Sequence, residues 1–160
     1  MKIFTILLLA LSASVFGCSQ PRQPKAAGFD EFFPQKIGGA EFKARIALTE
    51  NEKARGLMRV KSLGEREGMI FAGDFPRQAS FWMYDTHVAL DIAFIDANGK
   101  ILEIRQMYPH DQTPVRSVSA EVVHCVEMPR GFFEKNSVKA GESLDMRLFA
   151  DSLKKRRGEK

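Results

Sequence analysis

The stretch Ser80–Ile104, "SFWMYDTHVALDIAFIDANGKILEI", decides how the rest of the chain is read. Its second half holds two apolar runs separated by Asn98-Gly99. That dipeptide between apolar runs is the strongest short-range signal for a β-hairpin. The first half brings the chain's single tryptophan, Trp82, close to Tyr84, Asp85, His87 and Asp91. Such a group is a reaction centre, a binding surface or a packed corner.

Strand signals continue on both sides. "EFKARIAL" alternates, with Phe42, Ala44, Ile46 and Leu48 on one face and Glu41, Lys43 and Arg45 on the other, as in a half-buried strand. Thr49 and Glu52 follow with capping-box spacing, which predicts a short helix ending near Gly56. Met69–Phe71 and the segment around "ASFWMY" read as short strands. "AEVVHCVEM" reads as a strand ended by Pro129, and "LDMRL" (Leu144–Leu148) as a last alternating one. Many short strands with few helices predict a mainly β domain: a compact antiparallel sandwich or barrel with one or two short helices. It spans residues 41–149, after a tether and N-terminal segment (18–40) and before a basic tail (150–160).

The first residues carry an address. "MKIFTILLLALSASVFGCSQ" has one basic residue, Lys2, then an apolar run too short to span a membrane and suited to a secretory leader. "VFGC" resembles a bacterial lipobox, so residues 1–17 read as a signal peptide and Cys18 as the acylated first residue. The expected location is the envelope: membrane-anchored, facing the periplasm from the outer membrane, or at the cell surface. Lipidation uses one of two cysteines and leaves Cys125 without an internal partner. Its strand pattern makes it a small buried hydrophobe rather than a catalytic thiolate. The formal net charge falls from +4 to +3 when Lys2 leaves with the leader. Much of the remainder lies in "KKRRGEK", and outside the cytoplasm nucleic acid is not an expected partner.

The segments, taken in order, resemble the bacterial and archaeal family DUF192. The matching blocks are "RGLM" (Arg55–Met58), "GMIF" (Gly68–Phe71), "FWMYDT" (Phe81–Thr86), "LDIAFID" (Leu90–Asp96) with "NGK", and "AGES". The resemblance implies an all-β sandwich or barrel and supplies no chemistry. The family usually has Asn at the position of Asp85 and Pro at that of Ala89.

His87, His110 and His124 show no compact metal-ligand spacing, so no metal and no cofactor are expected. Met58, Met69 and Met83 suit a core better than a Cu(I) site. No nucleophile motif or phosphate loop occurs. The expected function is a lipid-anchored envelope module that binds a small molecule, glycan or protein partner. Trp82 or Tyr84 would stack, and Asp85, His87 and Asp91 would give polar contacts. The alternatives are an envelope hydrolase acting on glycan or lipid, with Asp85 and Asp91 as acid and base, and a structural or assembly lipoprotein.

Overall fold

The computed structural model describes residues 26–159. Cys18, the leader and most of the tether lie outside them. Eight strands form two sheets. They are β1 (Phe33–Ile37), β2 (Ala40–Ala47), β3 (Glu67–Phe71), β4 (Ser80–Phe81), β5 (Leu90–Ile95), β6 (Ile101–Met107), β7 (Val115–Arg116) and β8 (His124–Pro129). The helices are α1 (Glu50–Arg55), α2 (Phe132–Lys135) and α3 (Met146–Arg157). The main sheet has six strands in the order β1-β2-β3-β8-β5-β6, and β4 pairs with β7 in a small second sheet.

This is a mixed sheet, not the antiparallel sandwich or barrel expected from the strand count. β2 and β3 run parallel, and neither sheet closes. The cause is α1. A parallel pair needs a crossover, normally through a helix, and the connection from Ala47 to Glu67 contains α1. Its capping box is complete: Thr49 Oγ1 accepts from the Glu52 N–H at 3.2 Å, and Glu52 Oε2 accepts from the Thr49 N–H at 3.0 Å.

Two further elements differ from expectation. β1 lies in the segment read as tether and N-terminal residues; Pro34 is exposed there on an edge strand, where its missing N–H is tolerated. "LDMRL" is not a strand. Asp145 Oδ1 accepts from the N–H groups of Arg147 and Leu148, an N-cap that starts α3. The chain then buries Phe149, Ser152 and Arg156 at helical spacing. Residues 150–157 of the segment read as a basic tail thus belong to a third helix.

Strand alternation gives each face of the main sheet its own apolar cluster. One holds Phe42, Ile46, Ala93, Ile95, Val126 and Met128, and is joined by Phe132 and Phe133 of α2 and Phe149 of α3. The other holds Met69, Phe71, Leu90, Ile92, Phe94 and Cys125, with Leu57 beyond α1 and Met83 beyond β4. The predicted hairpin joins β5 and β6. Asp96 Oδ1 caps it by accepting from the N–H groups of Asn98 and Lys100, and Gly99 takes φ +87°.

Candidate functional site

The structure divides the five residues singled out in the sequence. Trp82 and Tyr84 are half exposed, with ring centroids 5.6 Å apart and planes tilted by 31°. Asp85 has φ +50°, the left-handed region that short hydrogen-bonding side chains enter most readily. Its Oδ2 accepts from Arg59 Nε at 2.9 Å and its Oδ1 lies 3.5 Å from His87 Nε2. His87 in turn meets His110 edge to face at 4.8 Å. The backbone is tied here too, since the Arg59 N–H donates to the Asp85 carbonyl at 2.8 Å. Asp85 therefore closes an exposed turn. Asp85→Asn is expected to leave the urea midpoint almost unmoved, because Asn suits the same backbone conformation and Arg59 is solvated; a large loss of stability would contradict this.

Asp91 sits elsewhere. In β5, Leu90 and Ile92 belong to one face, while Ala93 and Ile95 belong to the other. Asp91 shares the second face, away from Met83 and Phe81. Its Oδ2 accepts from the Gly131 N–H at 2.7 Å, and Arg130 Nε stands 3.3 Å from Oδ1. Burial raises its pKa against the opposing pull of Gly131 and Arg130. Asp91 anchors the turn after β8 to the sheet. With the sheet between them and different partners for each, Asp85 and Asp91 do not converge as an acid–base pair.

His124 and Cys125 are both buried in β8 on opposite faces. His124 Nδ1 accepts from the Gly73 N–H at 3.2 Å, its ring meets Phe149 edge to face, and burial pushes its pKa down to about 4. Cys125 is a free thiol in the apolar cluster, and burial pushes its pKa far up. That environment suits a packing residue and not a nucleophile. Met69 and Met83 are likewise buried in that cluster.

One of several concavities lies beside the Trp82 corner; a larger one of about 820 Å³ lies over β1 and β2, between Gln35, Phe42 and Arg66. A cleft of about 410 Å³ opens between α1 and β4; Phe71, Phe81 and Trp82 wall it, and Lys53, Arg77 and Gln78 supply its polar groups. Next to it, sharing Lys53, Phe71, Phe81 and Trp82, is a narrow cavity of about 30 Å³. Residues 54–58, Met83, Thr86, Leu90 and Glu127 complete the narrow cavity. Gly56 ends α1 with φ +48°, and a Cβ there would meet the Phe71 ring at 3.4 Å. The block "RGLM" thus brings α1 down over this cavity, while "FWMYDT" forms its opposite side.

Glu127 is the residue that sequence reading missed. It pairs across β8 with Met69 of β3 and Ile92 of β5, both fully buried, and is itself 4% exposed. Desolvation alone accounts for its perturbation, with no hydrogen bond or ion pair to its carboxyl among the described residues; its pKa is raised to about 8. A charge-bearing group left unpartnered in an apolar interior costs stability, and such groups concentrate at functional sites. The signal was present in "HCVEM": Glu127 is in phase with Cys125, already assigned to the core.

The family model for DUF192, described as "Uncharacterized ACR", matches residues 33–146. The chain belongs to the DUF192 family. A crystal structure of a protein of unknown function from Novosphingobium aromaticivorans superposes with a TM-score of 0.69 at 26% identity; the match covers 83% of this chain and 99% of that one. A Sinorhizobium meliloti protein named as a candidate transcription regulator gives a TM-score of 0.69 at 22% identity, over 76% of this chain and 97% of its own. The second likeness is one of fold alone. None of the curated proteins matches the chain. The DUF192 blocks quoted from the sequence converge on the narrow cavity: Arg55–Met58, Phe71, Phe81–Met83, Thr86 and Leu90 all line it.

Proposed function

We propose that this DUF192 protein is a lipid-anchored envelope module that binds a small amphipathic molecule in the cleft between α1 and β4. The observation that carries the reading is the cleft itself. Its volume of about 410 Å³ lies in the range of small-molecule sites, and it combines an aromatic wall with a few polar groups at the rim. Arg77 stands at that rim with its guanidinium 5.8 Å from the Phe75 ring, and no described carboxylate forms an ion pair with it. The fitting ligand has an apolar body for Phe71, Phe81 and Trp82 and an anionic group for Arg77. Trp82 is the member of the sequence-predicted surface that belongs to this cleft. The anchor rests on the N-terminal sequence, whose apolar run and "VFGC" suit export and acylation at Cys18.

The test is a thermal-shift screen of short aliphatic and aryl carboxylates against the chain begun at Ser19, which keeps every described residue. Binding confined to the folded state at 100 times Kd adds about 2.7 kcal/mol. Compounds that raise the melting temperature of the parent are expected to lose their effect on Trp82→Ala and Arg77→Gln. A screen in which nothing stabilises the parent, or in which both variants respond like it, sinks the binding role. For the anchor, full-length Cys18→Ser is expected to wash off membranes; its retention would refute acylation there.

A further inference from the structure

We infer that the narrow cavity beside the cleft receives the protonated primary amine of a ligand whose anionic end lies at Arg77. This rests on the cleft reading above and adds the class of ligand: an amine joined to an anionic group by an apolar spacer. Four observations converge on it. Glu127, 4% exposed, lines this cavity, and no hydrogen bond or ion pair holds its carboxyl among the described residues. The walls include Phe71, Phe81 and Trp82, whose ring faces attract cations. The end of α1 forms the rim, and the last turn of a helix leaves carbonyl groups without intrahelical donors. The volume of about 30 Å³ accepts one or two water-sized groups, enough for an ammonium head and little more.

Two basic residues, Lys53 and Arg55, line the cavity and a third, Arg77, stands in the adjoining cleft; the two lining it are already engaged. Lys53 Nζ is 3.0 Å from Glu50, and Arg55 is 3.7 Å from Asp30 with its guanidinium over the Phe29 ring. Arg77 belongs to the wider cleft and does not line the narrow cavity. Glu127 is the only acid lining the cavity among the described residues. An ammonium group entering it would meet one carboxyl, uncharged at neutral pH because burial raises its pKa to about 8. Pairing favours the carboxylate, so Glu127 ionises on binding and its proton leaves to solvent.

The experiment compares aminocaproate with caproate, two probes that differ by the amine. Binding is followed by the fluorescence of Trp82, the single tryptophan of the chain and a lining residue of both cavities. Aminocaproate is expected to bind about 10- to 100-fold more tightly, the range for hydrogen bonds to charged groups. It should also release up to one proton, read as the dependence of calorimetric heat on buffer ionisation enthalpy, whereas caproate should release none. Glu127→Gln is expected to abolish the preference. If caproate binds and the amine brings neither gain nor proton release, the amine site is wrong and the cleft reading stands. If neither probe binds, both readings fall. The proton count is measured on the parent protein, so it decides the matter even if Glu127→Gln fails to fold.

Discussion

Between about pH 6.5 and pH 8 the protein is expected to lose stability steadily, and Glu127→Gln is expected to abolish that loss. The unfolded chain releases the Glu127 proton near the ordinary glutamate value of 4.5, whereas the folded chain holds it to about pH 8. Across that interval the folded state binds the extra proton, so raising the pH favours unfolding by about 1.4 kcal/mol per unit. His124 has the opposite slope. Its pKa is depressed from 6.5 to about 4, so the unfolded state binds the extra proton there and stability falls as the pH drops through that range. From about pH 4.5 to 6.5 the two slopes offset each other, and above 6.5 that of Glu127 remains. Urea titrations at half-unit intervals would show it. A flat parent profile above pH 6.5, or an equal slope in Glu127→Gln, would falsify the assignment of Glu127 as a buried neutral acid. At pH 8 the variant is expected to be the more stable protein, which would mean the parent tolerates a liability at this cavity.

The second large effect is expected at Arg156. Its side chain is 7% exposed, and its guanidinium satisfies three separate parts of the fold. Nε donates to the Ile46 carbonyl at 3.2 Å, Nη1 donates to the Ala27 carbonyl, and Nη2 pairs with Glu52 Oε1 at 2.5 Å. Arg156→Ala removes all three at once. It leaves Glu52 to the backbone N–H groups of Leu48 and Thr49 and leaves the Ile46 carbonyl of β2 without this donor. Loss of one partner of a buried pair costs about 3–5 kcal/mol, a large share of the stability of a domain this size. Arg156→Lys keeps the charge but not the fork of donors, so it is expected to fall between parent and Ala variant. A urea midpoint for Arg156→Ala equal to the parent's would refute the role given to this side chain.

Local signals in the sequence fared well where the physics was local. Thr49 and Glu52 announced α1, Asn98-Gly99 announced the β5–β6 hairpin, and the alternation of "EFKARIAL" announced β2. What local patterning could not convey was how the pieces pair. The parallel register of β2 and β3 follows from the crossover through α1, a three-dimensional consequence of a helix read correctly by itself. Leu144, Met146 and Leu148 alternate as in a strand, yet the cap at Asp145 and the burial of Phe149, Ser152 and Arg156 select a helix. In the site, aromatic and polar residues drew attention to Trp82, which does line the cleft, and to Asp91, which fastens a turn on the other face. Glu127 stayed hidden because an acid in a strand normally marks the solvent side. Only the apolar clusters packed on both faces of the sheet reveal that β8 has no solvent side.

The clamp at Ala27 also decides how such a protein would hang from a bilayer. The Ala27 N–H donates to the Lys155 carbonyl at 3.1 Å, so the chain enters the fold beside the final turn of α3. For a chain acylated at Cys18, the leash from Ser19 to Ala27 is nine residues long and reaches about 30 Å when fully drawn out. The domain is then moored by one corner, and that corner carries the exposed side chains of Lys154, Lys155 and Arg157. On a leaflet rich in acidic headgroups each of these is worth about 1 kcal/mol near the surface. The mooring point and the charged corner coincide, so the leash and the lipid charge would pull on the same end of the domain.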